Sequence, residues 1–159
     1  KPLPASSPPA APRKTPPSAA PPSHAEMMEA AALAWQTRRS QAKQALIEEA
    51  RLSAEEAANF EEIVSAMNER LREEVGEIAE ELRERLAQEE TDIAPRETLR
   101  WADRMLETLI ETDDALLELV PEEERTGITA ENIDPTTYVD PTIFEPVVKL
   151  LDAVEEGEE

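Results

Sequence analysis

Cysteine is absent, glycine occurs three times in 159 residues, and aromatic side chains make up 3% of the chain. Without cysteine there are no disulfide staples and no thiolate metal ligands. Sandwiches, barrels and nucleotide-binding βα folds need glycine at tight turns, so three glycines argue against all of them. Much of the 40% hydrophobic content is alanine, which argues against a large globular core. The longest apolar runs are a few residues, short of a transmembrane or signal segment.

The residues that carry chemistry are equally sparse. There is one histidine, His24, with no second histidine or cysteine to join it, so it is expected to be an exposed first-turn residue. No Gly-rich phosphate loop, G-x-S-x-G or H-E-x-x-H motif occurs. A di-metal helical site needs Glu-x-x-His pairs, and the stretch from Asp134 to Asp140 lacks the spacing and glycine of a calcium loop. Carboxylates abound, but a catalytic dyad needs two environments that push paired pKa values apart. The expectation is a protein that is not an enzyme and has no cofactor and no metal site.

What the chain has in excess is acid. Its net charge is −21. Residues 1–23 carry three bases and no acid, and residues 24–52 balance at four of each. Residues 53–90 hold thirteen acids against four bases, and residues 91–159 hold twenty against five. Such a surface repels nucleic acid and anionic lipid and favours basic partners or simple solubility.

It also has proline where a leader belongs. Residues 1–23 contain nine of the fourteen prolines, with alanine and serine as most of the rest. This segment reads as a disordered Pro/Ala-rich linker, a semi-stiff spacer of extended backbone. A spacer of this kind ahead of a helical domain suits a position just outside a membrane anchor. The chain starts with Lys1, so an upstream anchor or signal is an open possibility, and the membrane enters only through it.

From Ser23 the chain reads as helix. Ser23 with Glu26, and Ser53 with Glu56, have the S-x-x-E capping-box spacing. A thin, alanine-rich helix is expected over 24–51, with Trp35 as its main anchor, and a turn at Arg51–Leu52 starts a second helix at 53–90; the alternative is one unbroken helix over 24–90, since no Gly or Pro intervenes. That helix carries the clearest pattern in the chain: Phe60, Val64, Met67, Leu71, Val75, Ile78, Leu82 and Leu86. They follow an eleven-residue repeat, close to the natural twist of an α-helix, so the stripe stays nearly straight. Gly76 falls on the side away from it.

Pro95 suits a helix start, and a third helix is expected over 95–120. Its period is seven, with Leu99, Leu106, Asp113 and Val120 in one column and Ala102, Leu109 and Leu116 in the other. That seam fits antiparallel packing on the second helix. Asp113 falls where an apolar residue is expected, at a wet edge, in an ion pair or as a register device. Gly127 offers a positive-φ turn. Residues 128–146 read as an irregular arm using Ile128, Ile133, Tyr138, Val139 and Phe144, followed by a helix at 146–154 and a disordered acidic tail at 155–159.

The fold expected is therefore all-α, a long antiparallel helical hairpin with a thinner N-terminal helix and an irregular C-terminal arm. The helical domain spans 24–154. Alanine on the first helix and a seven-residue period on the third leave part of the second helix's stripe unmatched. Phe60, Val64, Met67 and Leu71 are the candidate partner-binding face.

Leu52-Ser53-Ala54-Glu55-Glu56, heading a long amphipathic helix with Phe60 and Met67, resembles the L-T-x-x-Q motif of the small periplasmic Spy/CpxP-type proteins. Ser replaces Thr and Glu replaces Gln, and both keep the capping chemistry. The resemblance implies an all-α hairpin cradle acting as an ATP-independent holding chaperone or envelope-stress regulator. The residues themselves suggest a helical interaction module on a Pro-rich tether, an extracytoplasmic adaptor or sensor with a protein partner or a second copy of itself, dimeric through the first or second helix. An acidic protein that sequesters a basic partner is the further alternative, with a cytoplasmic location as its natural setting.

Overall fold

The computed structural model describes residues 21–89 and 92–157. Among them the fold is all-α, with no strand: α1 (His24–Glu49), α2 (Ala54–Ala87), α3 (Pro95–Leu119), α4 (Ala130–Ile133) and α5 (Glu145–Gly157). Both capping boxes form. Ser23 and Ser53 each accept a bond from the amide three residues on, while Glu26 and Glu56 reach back to the cap amides. These bonds satisfy amides that have no partner inside the helix. Accepting them also holds the Glu56 carboxyl below its ordinary pKa, the Ser53 amide contributing most.

The break between α1 and α2 closes without glycine. Arg51 takes a left-handed conformation (φ 52°), and the Leu52 amide bonds back to the Ile47 carbonyl at 3.1 Å. That six-to-one closure caps the end of α1 and turns Leu52 into the core beside Ile47. At the far end of α3 the cap is a side chain. Arg125 donates to the carbonyls of Leu117 (2.7 Å) and Val120 (3.2 Å), two of the acceptors a helix end leaves unfilled. Gly127 closes a 3-10 turn, Arg125–Gly127, and no described glycine has a positive φ.

Helix α2 is the spine, and α3 runs antiparallel to it. Arg70 pairs with Glu111, Glu74 with Thr108, Glu77 with Arg104, Glu81 with Trp101 and Arg85 with Glu97; one index rises as the other falls. The apolar stripe of α2 is buried from Phe60 through Ile78 and half-buried at Leu82 and Leu86. From α1 it is met by Ala42, Leu46 and Ala50, and from the end of α3 by Leu116 and Val120.

What closes the core is the C-terminal arm. The sequence Asp-Pro-Thr occurs twice, at 134–136 and 140–142. Each copy opens a 3-10 turn, Pro135–Tyr138 and Pro141–Phe144, whose Asp side chain accepts from the Thr amide two residues on (2.8 and 2.9 Å). Proline supplies the fixed φ and the aspartate the cap. The turns deliver Tyr138 and Ile143 into the core at 0% and 1% exposure. The Tyr138 ring meets Phe60 edge-on, with centroids 4.9 Å apart. Its hydroxyl donates to the Asn132 carbonyl at 2.6 Å, and burial raises its pKa so that it remains a neutral donor.

Asn68 fixes the arm to the spine. Buried on α2, it donates to the carbonyls of Val64 (3.1 Å) and Tyr138 (2.8 Å), and its Oδ1 accepts from the Asp140 amide (2.7 Å). It thereby satisfies the backbone between the two turns as a neighbouring strand would. A second tie comes from Glu49 on α1, which accepts from the Thr129 amide and hydroxyl and from Asn132. The Thr129 amide foremost, and then the two side-chain donors, lower the Glu49 pKa.

Four expectations change. Trp35 is only half-buried, with the Arg39 guanidinium 5.5 Å from its ring centroid, and Leu46 anchors α1 instead. Phe144 points out while Ile143 points in, because successive residues of a tight three-residue turn diverge by about 120°. Helix α5 runs to Gly157, so residues 155–157 of the expected acidic tail are helical, as the helix propensity of Glu allows. Third among the helices, α3 presents Thr108 and Thr112 to α2 rather than its Leu99–Leu106 column, because its polar bonds to α2 lie on that side. The expected disorder of residues 1–20 and 158–159 falls outside the described residues.

Replacing Asn68→Ala leaves the Tyr138 carbonyl and the Asp140 amide without partners. The expected loss is about 2–4 kcal/mol, seen as a Tm lowered by several degrees. A Tm unchanged within error would contradict the role given to Asn68. For Glu49 the folded pKa lies below the unfolded one, so its contribution is present above the unfolded value and is lost as pH falls through the folded value. Protection factors across residues 129–133, exchange taken relative to the intrinsic amide rate, should therefore fall on acidification below about pH 4, and Glu49→Gln should flatten that response.

Candidate interaction surface

Phe60, Val64, Met67 and Leu71, the candidate partner-binding face, are 0, 1, 2 and 2% exposed. Tyr138 and Ile143 join them in one cluster with Leu46 and Leu116. The face expected to stay open is covered from within the chain, since the arm supplies the apolar area that alanine on α1 could not. A partner could reach Phe60 only by displacing the arm, whose Tyr138 ring lies edge-on against it. The sequence signals of that cover were the repeated Asp-Pro-Thr and the polar Asn68 beside the stripe.

Leu151 and Val154 of α5 are exposed, but the longer exposed apolar column lies on α3. Leu99, Leu106 and Ile110 are 68, 54 and 61% exposed. Their spacings of seven and four place them on one side of the helix, roughly 100–180° around it from the buried Thr108, Thr112 and Leu116. The rotation that lets α3 bond to α2 is what turns this column outward. Leu117 and Asp113 continue it half-buried, and Asp113 makes no ion pair among the described residues. By contrast the exposed Met27 and Leu33 of α1 sit six residues apart, on different sides of their helix, and form no stripe.

The α3 face is held rigidly. Behind it, Glu74 is 9% exposed, accepts from the Thr108 hydroxyl at 3.0 Å and lies 3.4 Å from Arg70 Nε. Arg70 also binds Glu111, which raises the Arg70 pKa and keeps it charged. Trp101 donates its indole N–H to Glu81 at 2.9 Å. Exposed ion pairs contribute little stability each, but a series of them along one seam fixes the rotation of α3.

Elsewhere the polar groups tie helices together. His24 meets Asp152 of α5, and Glu61 is shared by Arg39 and Lys43 at 2.5 Å each. The first-turn histidine therefore clips the start of α1 to α5. Among the described residues no three His or carboxylate side chains converge to hold a metal ion. No described helix is long and apolar enough to cross a membrane.

If the α3 face is surface rather than core, polar substitution there should be nearly silent in stability. Leu106→Ser and Ile110→Ser are each expected to change unfolding free energy by under about 0.5 kcal/mol. Leu116→Ala, on the same helix but 1% exposed, should lose about 2–5 kcal/mol. Equal losses in denaturant unfolding would show that Leu106 and Ile110 are structural.

Comparison with protein families, with curated proteins and with solved structures finds no match to this chain.

Proposed function

We propose that the chain is a non-enzymatic helical interaction module, an adaptor or sensor domain carried on its proline-rich leader. The observation that carries this reading is the apolar column of α3, which stands exposed on a helix whose other side is bonded to α2. Three aligned aliphatic side chains on a rigid element are the pattern of a docking face, where scattered exposed apolar residues are not. The proposed setting is extracytoplasmic, on the strength of the Pro/Ala/Ser spacer alone.

The holding-chaperone alternative offered Phe60 and Met67 to unfolded clients. Both are buried, so that reading requires the arm to open. The sequestration alternative draws on the net charge of −21 and needs no apolar face at all. It is the weaker reading, because it leaves the α3 column without a role.

A photo-crosslinking residue at position 110, compared with one at position 73 on the exposed outer side of α2, tests the proposal in the full chain. Position 110 should give discrete adducts of defined mass, and position 73 should give none. The reading fails if position 110 gives no adduct, or if both positions give the same diffuse smear.

A further inference from the structure

The exposed face of α3 has a charge pattern as well as an apolar one, and the two together select a partner. Along its solvent edge the first turns carry Arg96 and Arg100, neither of which makes an ion pair among the described residues. The later turns carry Glu107, Asp114 and Glu118, all exposed. The helix therefore runs from a basic start to an acidic end. Its apolar column, from Leu99 through Leu106 and Ile110 to Leu117, steps by seven, four and seven, the spacing of a two-helix seam.

We propose that α3 pairs antiparallel with α3 of a second copy of this chain. A two-fold axis near Thr108 sets Leu106 beside Ile110 of the other copy, and Leu99 beside its Leu117. It sets Arg100 across from Asp114 and Arg96 across from Glu118, each pair occurring twice, because a two-fold interface is self-complementary. A parallel pair would set acid on acid along the whole later half. A purely basic partner helix would match that half but would oppose Arg96 and Arg100. Glu107 meets its own copy at the axis, and Asp103 faces Asp113 of the other copy across the antiparallel seam. They oppose the association, so a weak, concentration-dependent dimer is expected rather than an obligate one.

This inference rests on the reading of α3 as a docking face and names its occupant. Helix α2 cannot serve, because its stripe is buried, α1 has no exposed stripe, and α5 exposes only Leu151 and Val154, a single turn. The interface is one helix wide, at the small end of specific interfaces, which agrees with weak association.

Sedimentation velocity on the full chain, from micromolar to near-millimolar concentration, tests it. The expected result is a reversible monomer–dimer equilibrium that Ile110→Ser weakens at least about tenfold, a difference of about 1.4 kcal/mol. R100E alone and D114R alone should each weaken the dimer, and R100E combined with D114R in one chain should restore it, since both pairs re-form with their signs exchanged. A monomer at every concentration overturns the proposal, and so does a double variant no better than either single one. If the chain stays monomeric while position 110 still crosslinks to another protein, the docking face stands and the second copy is excluded. If neither is seen, both readings fall.

Discussion

The structure depends on a side-chain amide that closes a gap the helices leave open. The α2 stripe is wide and long, and the alanine of α1 and the threonines of α3 cannot cover it. The cover is a short piece of irregular chain, which brings backbone amides and carbonyls to the core and must have them satisfied. Asn68 does this from the middle of α2, gripping the Tyr138 carbonyl on one side and the Asp140 amide on the other. Once they are fixed, Tyr138 and Ile143 drop onto Phe60 and its neighbours, and α5 follows directly against α2. A helix of ordinary polarity could not have done this, since an apolar residue at position 68 would leave both backbone groups buried and unpaired.

Charge is distributed to the same end. Cations are scarce, sixteen against thirty-seven acids, and many of them sit at seams between elements. Arg70, Arg85 and Arg104 join α2 to α3, while Arg39 and Lys43 join α1 to α2. Such bonds fix rotation and register more than they stabilise. The consequence for α3 is decisive. By bonding through Glu97, Arg104, Thr108 and Glu111, it turns its leucine column away from the spine. Two of the bases on the free edge of α3, Arg96 and Arg100, lie outside this network.

Much of the fold was legible because it is written in local chemistry. The two Ser-x-x-Glu boxes mark real helix starts, Pro95 stands at the first position of α3, and the eleven-residue repeat of α2 is buried over most of its length. What was not legible depends on long-range choices. A seven-residue column says that α3 has an apolar side and does not say which neighbour it meets. Polar bonds to α2, invisible in a hydrophobic pattern, decide that. In the same way Asn68 looks like one more polar residue on a polar helix, and its partners lie seventy residues away. The interaction face was therefore sought on α2, where the pattern is strongest, while the exposed column lies on α3.

The contrast between a closed α2 stripe and an open α3 column can be read directly, because the chain has no cysteine of its own. Val64→Cys and Leu106→Cys, made separately and held at high dilution, report on the two faces through their rates of thiol modification. With the arm seated, Val64→Cys, at a position 1% exposed beside Asn68 and Asp140, reacts only through openings of the core and should be at least about a hundredfold slower than Leu106→Cys. Comparable rates would mean that the arm does not close the α2 stripe, and would contradict the account at its centre.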